Sequence, residues 1–125
     1  MAHQVEYNPD PGIVDIKYAG DISLEEVLSA IENAWELIQR HTCHLVLSDF
    51  LNAKIAFDPA RILEINEKLS ALNVPKDIRS AVVVPRDEKS NKNMQVRLYE
   101  YASGTGGWPA QMFYSREQAL QWLIY

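Results

Sequence analysis

The chain reads as an α/β fold, a mostly parallel mixed sheet of four to five strands built by a ββαβαβαβα succession with four helices, in one domain over residues 1–125. Three observations predict this. Short apolar, β-branched runs recur between longer segments whose apolar residues repeat at three and four positions. Three of the helical segments open on a capping signal of their own. The only two strand segments that follow one another directly stand at the start, on either side of the turn-rich "NPDPG" of residues 8–12. Strands that alternate with helices need crossovers, right-handed by preference, and therefore parallel pairing, while the opening hairpin adds one antiparallel strand.

Each element has its own justification. In "HQVEYNPDPGIVDIKYAG", Val5 and Tyr7 and then Val14, Ile16 and Tyr18 share one face, the period of a half-buried hairpin. Ser23 is placed to cap the first helix and Glu26 to close a capping box, with Ile22 and Val27 as a hydrophobic staple. Leu24, Val27, Leu28, Ile31, Ala34, Trp35 and Ile38 form one apolar stripe. Residues 43–50 are almost continuously apolar, as in a central strand covered on both faces. Phe57, Asp58 and Pro59 supply a staple residue, an N-cap and a first helical residue, so the second helix is expected from Pro59, with Ile62, Ile65, Leu69 and Leu72 inward. Residues 80–84 give a further core strand. "NMQVRLYEYASGTGG" predicts a helix with Met94, Leu98, Tyr101 and Ala102 inward and Gly104 near its end. "AQMFY" is the last strand, and Ser115 with Gln118 caps a last helix whose apolar face is Ala119, Leu120 and Leu123.

At 125 residues the chain should bury roughly two-thirds of its unfolded surface, enough for one core without a disulfide or metal. A net charge of −5 disfavours nucleic acid, whose phosphates need clustered Lys and Arg. The first ten residues carry no signal-peptide pattern, and the longest aliphatic run, "AVVV", cannot span a bilayer, so a cytoplasmic protein without a membrane span is expected. Cys43 is the single cysteine and reads as a small apolar side chain.

The succession of elements, together with "GDISLEEVLSAIENAWELI", "HLVLSDF" and "VRLYEYASGTGGWPAQMFYSREQALQWL", resembles the STAS and SpoIIAA-like superfamily over nearly the whole chain. The stretch from Glu117 to Leu123 matches the Glu-x-Ala-Leu-x-Trp-Leu pattern of the last helix of SpoIIAA-like proteins. The resemblance implies a non-enzymatic bacterial regulatory or signalling domain that acts by binding a protein partner, with a homodimer open. Its alternative is a carrier of a small lipid or other apolar ligand, because some members of this fold group bind lipids between helices and sheet. Anti-sigma-factor antagonists of the superfamily are switched by phosphorylation of a serine in an Asp-Ser-Ser-Gly stretch at the start of the second helix. Here that stretch is Asp58-Pro59-Ala60-Arg61, which has no hydroxyl, so this switch is not expected.

Asp49, at the end of an apolar run, poses the sharpest chemical question. A receiver-type phosphoacceptor needs more acids for Mg²⁺ and a lysine near the phosphate. The first strands show no acidic pair and "MFYS" no lysine, so a structural carboxylate is expected. His41, Cys43 and His44 resemble metal ligands in composition only, since a strand sends Cys43 and His44 to opposite faces. The "GTGGW" of residues 104–108 lacks a P-loop lysine. No nucleophile and base can be paired, and no cofactor is implied. Partner or ligand contacts are expected beyond the carboxyl ends of two core strands, in loops over residues 49–58 and 85–91, with Asp49, Asn52, Lys54, Asp58, Arg86 and Lys89 as candidates. The aromatic last quarter, in which Tyr99 and Trp122 fall off the apolar stripes, is the competing interface.

Overall fold

A computed structural model describes residues 3–58, 61, 63–85 and 109–124. Strands β1 (His3–Asn8) and β2 (Ile13–Ile22) form the hairpin, followed by α1 (Leu24–His41), β3 (Leu45–Ile55), α2 (Leu63–Ala71), β4 (Arg79–Val83), β5 (Ala110–Phe113) and α3 (Arg116–Ile124). The five strands lie in the order β1-β2-β3-β4-β5, antiparallel between β1 and β2 and parallel thereafter. Mixed α/β architecture and the central place of β3 agree with the expectation. Three helices are described, and the helix expected around Met94 to Ala102 lies outside the described residues.

Strand order explains how the helices are placed. When each strand is added beside its predecessor in one direction, right-handed crossovers put the connecting helices on one face. Accordingly α1 and α2 both pack on the first face, against Val14, Ile16, Tyr18, Val46, Phe50 and Val82. Helix α3 follows β5 and covers the second face, where Ala119 and Leu123 meet Leu47, Ala81 and Val83. No described helix is long and apolar enough to cross a membrane.

Local signals hold at the helix starts. Ser23 Oγ accepts the Glu26 N–H at 3.2 Å and Ser115 Oγ accepts that of Gln118 at 3.1 Å. The Glu26 carboxylate, expected to close the capping box, instead meets Nδ1 of buried His3 at 2.6 Å, tying the edge strand β1 to α1. The regular part of α2 begins at Leu63, after a 3₁₀ turn in which Arg61 N–H donates to the Asp58 carbonyl at 2.9 Å. The expected start at Pro59 lies outside the described residues.

β3 departs most from expectation. It does not end at Phe50 but continues to Ile55, paired with an equally prolonged β2. Residues 51–55 are therefore strand and not loop. Lys17 pairs with Asp49 and Ala19 with Asn52, so Phe50 and Leu51 together oppose Tyr18, a bulge with one extra residue on β3. Phe50 turns to the first face and stacks on Tyr18 at 4.3 Å between ring centres, while Leu51 packs with the second-face cluster.

Candidate functional site

A bulge resets the alternation of its strand, and here that decides what the surface carries. Ahead of it, Val46, Ser48 and Phe50 share the first face; beyond it, Ala53 and Ile55 pack there. Asn52 and Lys54 consequently join the second face, in register with Ala19 and Asp21 of β2. Gln4 and Glu6 of β1 extend this face, in register with Lys17 and Asp15. Gln4, Glu6, Lys17, Ala19, Asp21, Asn52 and Lys54 are all exposed. Helix α3 packs on the β3 and β4 side of the second face, which leaves an open, polar half over β1, β2 and the prolonged end of β3. Its charges alternate in sign, and Lys17 Nζ stands 3.7 Å from Glu6 Oε1.

At the border between the covered and open halves lies a charge cluster. Arg116, the first residue of α3, reaches Asp15 Oδ2 through Nη2 at 2.6 Å and Asp49 Oδ2 through Nη1 at 2.6 Å. Asp49 Oδ1 also accepts the Leu51 N–H at 2.9 Å, across the bulge. Asp15 and Asp49 are only 6% and 8% exposed. A buried carboxylate is costly unless paired and hydrogen-bonded, and the guanidinium fork satisfies both at once. The hydrogen bond to Asp15, against the opposing effect of burial and with further support from Asp49, holds the Arg116 guanidinium above its ordinary value. A raised folded-state value means the stabilisation is complete below the ordinary arginine value and is lost only above it, so the cation persists through the neutral range.

Asp49 is thus buried and hydrogen-bonded, in a setting that was not foreseen in two respects. The first strands, expected to offer no acidic pair, place one acid, Asp15, on the same guanidinium. The cation that answers both is Arg116 and not a lysine after the last strand. Because Asp49 is buried with both oxygens engaged, its carboxylate is not among the exposed groups of the open face, unlike Asn52 and Lys54. Asp58 is exposed just past β3. Arg86 and Lys89 lie outside the described residues, as do Tyr99 and the "GTGGW" segment. Trp122 is half-buried, tilted against Phe113, with the Arg79 guanidinium 4.2 Å above its ring.

His41, Cys43 and His44 each have separate partners. His41 stacks on Tyr7, the Cys43 thiol faces the Gly12 and Leu45 carbonyls, and His44 Nδ1 is 3.5 Å from Asp77. Among the described residues no three His, Cys, Asp or Glu side chains converge as a ligand set.

No family model and no curated protein matches the chain. Solved structures are similar over nearly its whole length, two of them as follows. One is an uncharacterized protein of the DUF3478 family with a SpoIIAA-like fold from Shewanella loihica PV-4, at a TM-score of 0.61 and 18% identity, covering 98% of this chain and 92% of that one. The other is an anti-sigma factor antagonist from Mycobacterium paratuberculosis, at a TM-score of 0.62 and 14% identity, covering 98% of this chain and 93% of that one. The chain thus has the SpoIIAA-like fold, in agreement with the resemblance of its sequence. At these identities the likeness is one of fold, and sites vary on a common fold.

Proposed function

We propose that the protein is a non-enzymatic regulatory domain of the cytoplasm that works by binding a protein partner, and that the open half of the second sheet face is where the partner docks. The observation that carries this reading is the register shift in β3, which gathers Asn52 and Lys54 beside Ala19, Asp21 and Lys17 on one exposed face. Mixed charge on a broad, rigid sheet suits a folded protein with a complementary pattern better than a polyanion, which asks for one sign. Fold likeness to an anti-sigma factor antagonist supports a protein partner. The absence of a hydroxyl in Asp58-Pro59-Ala60-Arg61 favours a binding mode without that family's serine switch. Arg86 and Lys89 belong to the same proposal, because they follow in sequence on β4, whose last residue Val83 pairs with Asp49.

Affinity capture from the native host, followed by titration of the captured partner against variants, tests the proposal. Lys54→Glu and Lys17→Glu should each weaken binding by about tenfold, equivalent to about 1.4 kcal/mol, and the wild-type affinity should fall as salt rises. Normal binding by both variants, with loss of binding in a folded Trp122→Ala protein, would move the interface to α3.

A further inference from the structure

The first face holds a feature that the docking surface does not use. Between α1, α2 and the strands β3 and β4 is a cavity of about 100 Å³, walled by apolar side chains that include Trp35, Leu69 and Val82. Among the described residues Ser48 of β3, Ser80 of β4 and Asn66 of α2 also line it, as does Tyr18 of β2. Both serines break a pattern. Inward positions on β3 ahead of the bulge are otherwise Val46 and Phe50, and those that follow Ser80 are Val82 and Val84, all in the core. A strand face selected only for packing would be filled to high density by apolar residues there. Local violations of that kind, coinciding with unfilled space, are characteristic of functional positions.

Helix α2 is also thinly attached. Of its nine residues, Leu63–Ala71, only Ile65 is buried, and Leu63 is 55% exposed. An element with so little apolar burial opens at low cost, which gives a small molecule a route to the cavity.

We infer that this cavity is a binding site for a small, uncharged, largely apolar molecule of about one ring, whose single hydroxyl or carbonyl hydrogen-bonds to the Ser48, Ser80 and Asn66 side chains. Size sets the upper bound. An apolar cavity of about 150 Å³ accepts benzene, and pockets for drug-sized ligands measure roughly 300–1,000 Å³. This cavity is smaller than the one that takes benzene, so it admits a single ring only as the thinly attached α2 gives way, and not the acyl chain of a lipid, which narrows the carrier alternative raised by the sequence. Charge sets the second bound. Among the described residues the lining contains no Asp, Glu, Lys, Arg or His, so an ionised ligand would be desolvated with no partner among them. The inference stands apart from the docking proposal, since interior and open face lie on opposite sides of the sheet.

Phenol, toluene and benzoate, titrated into ¹⁵N-labelled full-length protein, test it. Phenol and toluene should shift the amides of Ser48, Ser80, Ile65 and Leu69 saturably, phenol binding at least about fivefold tighter, and benzoate should leave them unmoved. Ser80→Val should cut phenol affinity by about fivefold or more and spare toluene. Val82→Phe, which fills the space, should abolish both, with Ser48→Leu as a second filling variant should the first not fold. Absence of saturable shifts with both neutral probes would overturn the site. Equal phenol and toluene affinity in the wild type, or an unchanged ratio in Ser80→Val, would assign the serines to ordered water and overturn the ligand class.

Discussion

Replacing Arg116 by methionine keeps much of the aliphatic stem but removes the cation from between two carboxylates. Its side chain is 32% exposed, and those of Asp15 and Asp49 are 8% and 11%. Two unit charges about 4 Å apart attract by about 4 kcal/mol at the effective dielectric of about 20 that suits protein sites. Desolvation offsets part of this for each partner. Breaking a fully buried pair typically costs about 3–5 kcal/mol, mostly because the remaining charge is left uncompensated. With a third of the Arg116 side chain in solvent, screening lowers that figure, and Arg116→Met should destabilise the fold by about 2–4 kcal/mol. Urea unfolding followed by far-ultraviolet circular dichroism reads this as a lower midpoint at an unchanged slope. The origin of the loss is tested by removing the orphaned charges as well: Asp15→Asn and Asp49→Asn, added to Arg116→Met, should restore at least half of it. A single variant within about 0.5 kcal/mol of wild type would put the cluster among ordinary surface pairs. A triple variant no more stable than the single one would show that the loss is one of packing and not of unpaired charge.

Two further outcomes follow from the same geometry and from the helix cap. Incubation with acetyl phosphate and Mg²⁺ should yield no phosphate adduct by intact mass, because both Asp49 oxygens are engaged by Arg116 and the Leu51 N–H; an adduct that disappears in Asp49→Asn would reverse the structural reading. Ser23→Ala, which removes the acceptor of the Glu26 N–H, should cost about 1 kcal/mol in the same unfolding assay.

The helix starts were legible in the sequence because a cap and an apolar stripe are local, and Ser23 and Ser115 needed only their neighbours to be read. The length of β3 was not. Its two halves follow alternations of opposite phase, joined at adjacent Phe50 and Leu51, so no single period of two runs from Val46 to Ile55, and Asn52 and Lys54 look like loop residues. Asp15 was hidden differently: between Ile13 and Lys17 it has the spacing of an outward residue, and its burial depends on α3 folding over that face, which strand order decides. One local sign of the cluster was available. Arg116 opens a helix, where the dipole disfavours a cation, and that mismatch calls for nearby anions.

Asp15 and Asp49 are those anions, and the consequence reaches the surface. Oδ1 of Asp49 holds the Leu51 N–H inside the bulge, while Oδ2 is held by Arg116 at the start of α3. The same carboxylate therefore anchors the extra residue of β3 to the helix that covers the other half of the face. Without that residue the strand would keep its phase, and Asn52 and Lys54 would point at the first face, against the core under α1, where a lysine has no partner and would force the pairing to slip. Asp49 is only 8% exposed, yet its two hydrogen bonds hold the bulge on which the exposed polar pattern depends.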